Sequence, residues 1–294
     1  MKEISVLMTS LNVDDLLHRA IKSIAENDFP KGKYEVVVVH ELNNKEKKEE
    51  IERSVKRWGL DAKIIKIKST RHIGFNRRKL VEYSKYKYLL FTDADCVVPR
   101  NWIKTMYNKI RSTSDSVGAV VGSVKVPKST FIGDCISSLG FPGGAFIGFD
   151  KMFYLDKNDY TNQISTGNVI LKKTAVKKVG SFSMDYICLE DKDMALKLIE
   201  HGYRIEFSRD SYVMHPATTS WIRLMKRLYI KGYDSCILLK NHEIGKDMSE
   251  TRIRSINNIL SYTGFSIKLP FVLFFLFTGY ISQIIGYIIA KLKN

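Results

Sequence analysis

Apolar positions in the first half of the chain alternate between short continuous runs and runs of helical period. Ile4–Met8 is an apolar run that predicts a buried strand, and Leu16, Leu17, Ala20, Ile21 and Ile24 then share one helix face. Glu35–Val39 contains four consecutive valines, a β-branched run suited to a strand covered on both faces. Ile51, Val55 and Trp58 mark a second helix that ends at Gly59. Ile64–Ile67 and Tyr88–Thr92 read as the third and fourth strands. Pro99 then precedes Trp102, Ile103, Met106, Tyr107 and Ile110, a helix with proline near its start. This βαβα order predicts a mostly parallel sheet with helices on both faces. Ligands in such sheets bind beyond the carboxyl ends of the strands, so residues just after each strand are the ones to read for chemistry.

The second half is less regular. Val117–Val126 and Val169–Lys172 predict strands, and Glu190–His201 a helix with Met194, Ala195, Leu198 and Ile199 on one face. Phe131–Phe149, rich in glycine and aromatics, has no period and predicts no element. Tyr203–Phe207 and Tyr212–Met214 read as two short strands leading to His215-Pro216. From Trp221 to Tyr233, Arg223, Lys226, Arg227 and Lys231 mix with Trp221, Leu224, Leu228 and Tyr229 at helical spacing. Such a cationic amphipathic helix either lies on an anionic bilayer or packs on the core with its charges in solvent.

After the moderately apolar Ile256–Ile267 comes Leu269–Ala290, which carries no charge at all. A membrane span needs about 20 apolar residues, so this segment predicts a transmembrane or membrane-embedded helix, with Pro270 in its first turn. Gly279, Ser282 and Gly286 suit close helix packing, but the ordinary glycine content of a membrane helix explains them more simply.

Composition sharpens this picture. The 294 residues suffice for one large domain or two modest ones, and a hydrophobic share of 45% excludes a disordered chain. Lys and Arg number 47 against 31 Asp and Glu, a formal charge of +16 that lies entirely outside the apolar segment. The charge admits nucleic acid, an anionic membrane surface or a phosphorylated substrate as partner, and the apolar C-terminus favours membrane, with phosphate compatible. Cys96, Cys135, Cys188 and Cys236 are widely spaced, which argues against a zinc module and a disulfide framework. The N-terminus lacks the apolar core of a signal peptide, so the bulk of the chain is expected in a reducing cytosol.

The sharpest chemical feature is Phe91-Thr92-Asp93-Ala94-Asp95-Cys96, directly after a predicted strand. Carboxylates at i and i+2 of an extended chain point the same way and are costly to bury unpaired. A hard divalent cation bridging to phosphates would satisfy them, and the plainer alternative is a polar turn before Pro99. Glu190-Asp191-Lys192-Asp193 opens a helix, where the helix dipole alone favours acids. That explanation covers Asp193, whereas the adjacent Glu190 and Asp191 also offer a general base toward a hydroxyl.

These residues carry a family resemblance. The chain resembles a membrane-associated family 2 inverting glycosyltransferase of GT-A fold, that is, an α/β nucleotide-diphospho-sugar transferase with a Rossmann-like mixed sheet and C-terminal membrane-associated helices. The opening segment from Ile4 to Asn12 is similar to that family's first strand and nucleotide-binding turn, and Thr92-Asp93-Ala94-Asp95 matches its D-x-D. Gly167-Asn168-Val169 and Val179-Gly180-Ser181-Phe182 resemble the strand and turn before its acidic motif. Leu189-Glu190-Asp191-Lys192-Asp193-Met194 with His201-Gly202-Tyr203 matches that motif itself. The four motifs fall in the right order over residues 1–215.

The resemblance implies roles. Thr9 would line the nucleotide pocket, Glu41 would read the base, and Arg77 would lie near the diphosphate. Gly167 and Asn168 would border the substrate. Asp93 would touch ribose or metal, Asp95 and His215 would hold the metal, Mn²⁺ or Mg²⁺, and Asp191, with Glu190 beside it, would be the base. Two positions depart from the family pattern: His40-Glu41 replaces an Asp-Asp pair, and Arg78 stands where asparagine is common. A lone histidine before proline, such as His215, is otherwise structural as often as a ligand. Lys226-Arg227-Leu228-Tyr229-Ile230-Lys231-Gly232 lacks the glutamine and tryptophan of the Q-x-x-R-W form of processive enzymes.

The expected activity is therefore transfer of one sugar from a UDP- or GDP-linked donor to a lipid-linked or membrane-proximal saccharide. A metal on the diphosphate and a single base suffice for one displacement with inversion. The expected organisation is a catalytic domain over residues 1–215, an interfacial helical region over 216–266 and a membrane helix over 267–294. Two alternatives remain: a polyprenyl-phosphate sugar synthase, and a non-catalytic membrane-tethered module that binds anions. Nucleic acid is not expected as a partner, because the basic aromatic stretch around Tyr83–Tyr88 is more simply a strand entry.

Overall fold

The computed structural model describes the chain apart from residues 12–13, 42–44, 69–71, 244–246 and 294. Its centre is an eight-stranded mixed sheet in the order β3-β2-β1-β4-β7-β5-β8-β6. The first four strands, β1 (Ile4–Ser10), β2 (Tyr34–His40), β3 (Ala62–Lys66) and β4 (Tyr88–Asp93), are mutually parallel. All seven residues of β2 are buried, as its valine run requires. Even-numbered residues of β1 and β2 (Ile4, Val6, Met8, Val36, Val38) face a core closed by α1 (Asp15–Ala25), α2 (Lys45–Arg57) and α4 (Trp102–Ser112). Odd-numbered residues (Leu7, Val37, Val39) face a second core closed by α3 (Ile73–Tyr83), α7 (Lys173–Lys178) and α8 (Glu190–Glu200). Strand periodicity thus splits one sequence run between two cores. Asp14 caps α1, accepting from the Leu16 and Leu17 amides at 3.1 Å each.

Beyond β4 the parallel expectation holds only in part. β7 (Val169–Lys172) runs antiparallel between β4 and β5 (Val117–Lys125), β8 (Arg204–Met214) is parallel to β5, and the two-residue β6 (Tyr160–Thr161) closes the edge antiparallel. The two short strands read before His215 are one strand, whose register against β5 jumps between Ser208 and Tyr212. The aperiodic segment at 131–149 forms α5 (Phe131–Ser137) and a glycine-rich turn that leads to α6 (Phe149–Met152). In that turn Gly143 has φ +55° and its Cα lies against Val124, where a Cβ would come within 2.9 Å. Helix α3 was invisible to periodicity because two of its polar residues, Asn76 and Arg77, are buried.

The C-terminal helices are α9 (Trp221–Asn241), α10 (Asp247–Thr263) and α11 (Leu269–Lys293), and they share a third core with α5 around Leu224, Ile259, Val272 and Phe275. The cationic helix therefore packs on protein. It runs in the same direction as α11: Trp221 donates to Thr278, Ser282 lies on Met225, and Gly286 lies on Tyr229. The packing-stripe reading of Gly279, Ser282 and Gly286 is the one realised, with α9 as the partner helix. Cβ atoms at Gly232 and Gly286 would fall 1.9 Å and 2.0 Å from the carbonyl oxygens of Gln283 and Tyr229. Opposite that seam, Leu273, Phe277, Tyr280, Ile284 and Ile288 are exposed.

Overpacking a tight contact costs about 1–3 kcal/mol. Gly286→Leu should therefore lower the thermal unfolding midpoint in detergent by several degrees. Gly32→Ala, whose Cβ meets nothing within 4 Å, should leave it unchanged.

Candidate active site

Strand pairing sets the first half of the site. Thr9 at the end of β1 lies beside Asp93 at the end of β4, so both sit on the carboxyl edge of the sheet. The Cys96 amide donates to the Asp93 carbonyl at 3.1 Å, closing a tight turn that carries the half-buried Asp95. Val97 then bridges Met214, with paired bonds of 2.8 and 2.9 Å, which brings His215 over the turn. Ligand atoms of Asp93, Asp95, Cys96 and His215 all lie within 4.8 Å of one another.

The donor set fits a hard divalent cation. The His215 Nδ1–H donates to the Pro216 carbonyl at 2.7 Å, which leaves Nε2 as the lone-pair nitrogen, 3.6 Å from Asp95 Oδ2. Burial raises the Asp95 carboxyl above its ordinary value and Asp93 adds to this, while His215 and Arg227 oppose it. Two clustered carboxylates with one imidazole suit a hard divalent cation. Cys96 is fully buried, and burial pushes its thiol well above the ordinary range.

The second half is built around Arg77. Its guanidinium, buried on α3, is ion-paired with Glu190 and lies 3.5 Å from Asp93 Oδ1. Gly74 permits this approach, because a Cβ there would overlap the Ser183 carbonyl at 2.1 Å. Glu190 is fully buried by the pair, whereas Asp191 keeps partial exposure. Asp191 Oδ1 accepts from the Lys192 amide at 2.7 Å. Burial raises the Asp191 carboxyl, and Arg77 and Lys231 pull it back. Burial also lowers Lys192, to about 8, while its ammonium donates to the Asn162 carbonyl at 3.0 Å. Asp193 points away, into contacts with His242 and Lys197 at 2.9 and 2.8 Å.

The remaining expected residues divide. Gly167 abuts the metal-side carboxylate, since a Cβ there would sit 3.0 Å from Asp93 Oδ2. Glu41, just past β2, accepts from Asn76 at 2.7 Å, while His40 beside it is buried with Nδ1 on the Ser10 carbonyl at 2.8 Å. Asn168 is spent inside the sheet: Oδ1 accepts from Trp102 at 2.8 Å and Nδ2 donates to the Ser123 carbonyl at 2.9 Å. Asn12 of the opening motif lies outside the described residues.

One residue of the site, Asn76, had no reading in the sequence, and two more, Arg227 and Lys231, were read only within the cationic helix. Asn76 holds Glu41. Arg227 and Lys231, one turn apart on α9, stack over the Phe141 ring at 5.8 and 5.4 Å and act on Asp95 and Asp191 respectively. Their i, i+4 spacing was visible, but it reads equally as a membrane-facing stripe.

A carboxylate–imidazole cluster at the strand ends, with a separate half-buried carboxylate beyond it, could hold a divalent cation beside a base at the ligand-binding edge of an α/β sheet. The model for glycosyl transferase family 2 matches residues 5–177, and the chain belongs to that family and is a nucleotide-sugar glycosyltransferase. It is 24% identical over 220 residues to glycosyltransferase AglE of Haloferax volcanii, covering 73% of this chain and 67% of that one. Among solved structures it resembles S. aureus TarS 1-349, with a TM-score of 0.60, 17% identity and coverage of 89% and 72% of the two chains. It also resembles the mannosyltransferase PcManGT from Pyrobaculum calidifontis, solved with GDP-Man and Mn²⁺, with a TM-score of 0.59, 16% identity and coverage of 98% and 85%. These structural likenesses establish the GT-A fold.

His215→Ala should weaken Mn²⁺-dependent UDP or GDP binding by about 10- to 100-fold, the scale on which even outer partners of metal ligands act. Calorimetric titration with and without Mn²⁺ reads the effect, and metal-free binding should be unchanged.

Proposed function

We propose that this chain transfers one sugar, with inversion, from a UDP- or GDP-linked donor to a lipid-linked or membrane-proximal saccharide. The observation that carries this reading is the division of labour among the carboxylates. Asp93 and Asp95 cluster with His215, Glu190 is consumed by Arg77, and Asp191 alone of the acidic motif keeps solvent access. One metal cluster and one free base are what a single displacement needs. A bound Mn²⁺ or Mg²⁺ would neutralise charge on the diphosphate leaving group. Asp95, Asp93 and His215 would hold it, with Thr9, Glu41 and Gly167 along the donor side. Asp191 Oδ2, free of the Lys192 amide that holds Oδ1, would take the acceptor hydroxyl proton as the oxygen attacks the anomeric carbon.

The donor class is supported by the solved relatives, which were crystallised with UDP-GlcNAc or GDP-Man. The acceptor reading is supported by α11, a helix long and apolar enough to cross a membrane, with exposed Phe265 and Ile267 just before it. On this reading residues 1–215 form the catalytic domain on the cytosolic side, 216–266 lie at the interface, and 267–294 anchor the chain. The polyprenyl-phosphate alternative keeps one specific support: Arg227 and Lys231 flank the site as cations that could meet an acceptor phosphate. Assaying both acceptor types separates the two.

Asp191→Asn should lower kcat by at least about 10²- to 10⁴-fold, the usual worth of a general base, with metal-dependent donor binding intact. Because burial raises Asp191, its basic form is lost as pH falls, so the acid limb of the wild-type rate should lie above the ordinary carboxylate value of 3.8. A radiolabelled-sugar transfer assay across pH measures both. A wild-type rate in Asp191→Asn would return the acidic motif to a helix-dipole role.

A further inference from the structure

Of the charged side chains on α9, only Asp234 is buried, with no exposure at all. It lies outside every motif, yet it meets the acidic motif directly. Its Oδ2 accepts from the backbone amides of Cys188 at 2.6 Å and Leu189 at 3.1 Å. Leu189 is the residue that opens α8, and its own side chain makes no cap. The orphan amides ahead of Glu190 and Asp191 are thus satisfied by a carboxylate brought in from another helix. A capping side chain at 189 would reach the second or third amide of α8 instead, and leave these two unmet. Oδ1 of Asp234 has no partner among the described residues, so the arrangement carries a desolvation cost. What the imported carboxylate adds is a fixed relation between α9 and the chain entering Asp191.

The neighbouring residues of α9 tighten the same relation. Lys231, one turn before Asp234, acts electrostatically on both Asp191 and Cys188. Gly232 between them lets the Gln283 carbonyl of α11 press on the α9 backbone. A continuous path of contacts therefore runs from α11 through α9 to the acidic motif.

We propose that Asp234 is a positioning residue for the base: through the Cys188 and Leu189 amides it sets the placement of Asp191, so the α9–α11 pair belongs to the transfer site and is not a detachable anchor. This rests on Asp191 being the base. Misplacement of a reacting group by about 1 Å costs on the order of 100-fold in rate. Asp234→Ala removes the oxygen that accepts from both N–H groups, whereas Asp234→Asn can turn its carbonyl oxygen to that place and keep both bonds.

The test uses the full chain in vesicles, and nucleotide release from UDP- and GDP-sugars is followed so that water and saccharide acceptors are both counted. Where Asp234→Asn should stay close to wild type, Asp234→Ala should lose about 10- to 100-fold in kcat. Its KM for donor and its Mn²⁺-dependent nucleotide affinity should remain within about twofold of wild type, on the scale of ordinary surface substitutions. The acid limb of its pH profile should also shift, because Asp191 moves relative to Arg77 and Lys231. Gly232→Ala, which displaces α9 and its carboxylate without altering the chemistry of the carboxylate or of either amide, should show the same split, and it serves if Asp234→Ala does not fold. A lowered melting midpoint with wild-type kcat and pH profile would make the cap merely structural and overturn the proposal. A wild-type rate in Asp191→Asn would sink the base reading itself, whatever Asp234 does.

Discussion

The site depends on one buried guanidinium. Arg77 is 6% exposed and is held between Glu190 and Asp93, residues almost a hundred positions apart. Burial lowers the pKa of the guanidinium, and Asp93 and Asp191 oppose that shift. Breaking a buried pair from one side typically costs about 3–5 kcal/mol, because the other charge is left without compensation. The metal-side carboxylate and the acidic motif are therefore locked at one separation. The family resemblance implied an arginine near the diphosphate; here two of its nitrogens, Nη1 and Nη2, face Glu190 and Asp93.

That lock explains several local choices. Gly74 is needed so that α3 can reach Ser183 and Glu190 closely enough for Arg77 to lie flat between the motifs. Gly167 leaves room for Asp93 to turn toward both Arg77 and the cluster with Asp95 and His215. Of the two adjacent acids, the arginine takes Glu190, and Asp191 is left with a polarised, half-buried carboxylate. A single contact thus pairs one acid and leaves its neighbour partly exposed.

Helix α9 plays two parts that its amphipathic pattern does not separate. One face presents Gly232, Tyr229 and Met225 to α11, with backbone-to-backbone contact at the glycines. Another brings Arg227, Lys231 and Asp234 against the acidic edge of the sheet. A positive stripe satisfies the same periodicity whether it meets lipid headgroups or protein carboxylates, so only the position of its neighbours distinguishes the two.

What the chain determined by itself was whatever rests on local period and strand ends. The strands at Ile4, Glu35 and Tyr88 and the helices carrying Leu17 and Trp102 follow from burial patterns that extend only a few residues. The placement of Asp93 and Asp95 at a carboxyl edge follows from the strand before them, and the acidic helix start from its own sequence. Tertiary structure decided the rest, because those features depend on partners far along the chain. Helix α3 buries Asn76 and Arg77 and so has no apolar stripe to read. β8 is continuous because β5 absorbs its irregular register, and the 131–149 segment takes its form from Val124 and the C-terminal helices. Asn168, read as a substrate residue, is drawn inward by Trp102, and Asp234 is drawn in by two amides just ahead of α8. A buried polar group is determined by the group that satisfies it, and that partner has no fixed spacing in sequence.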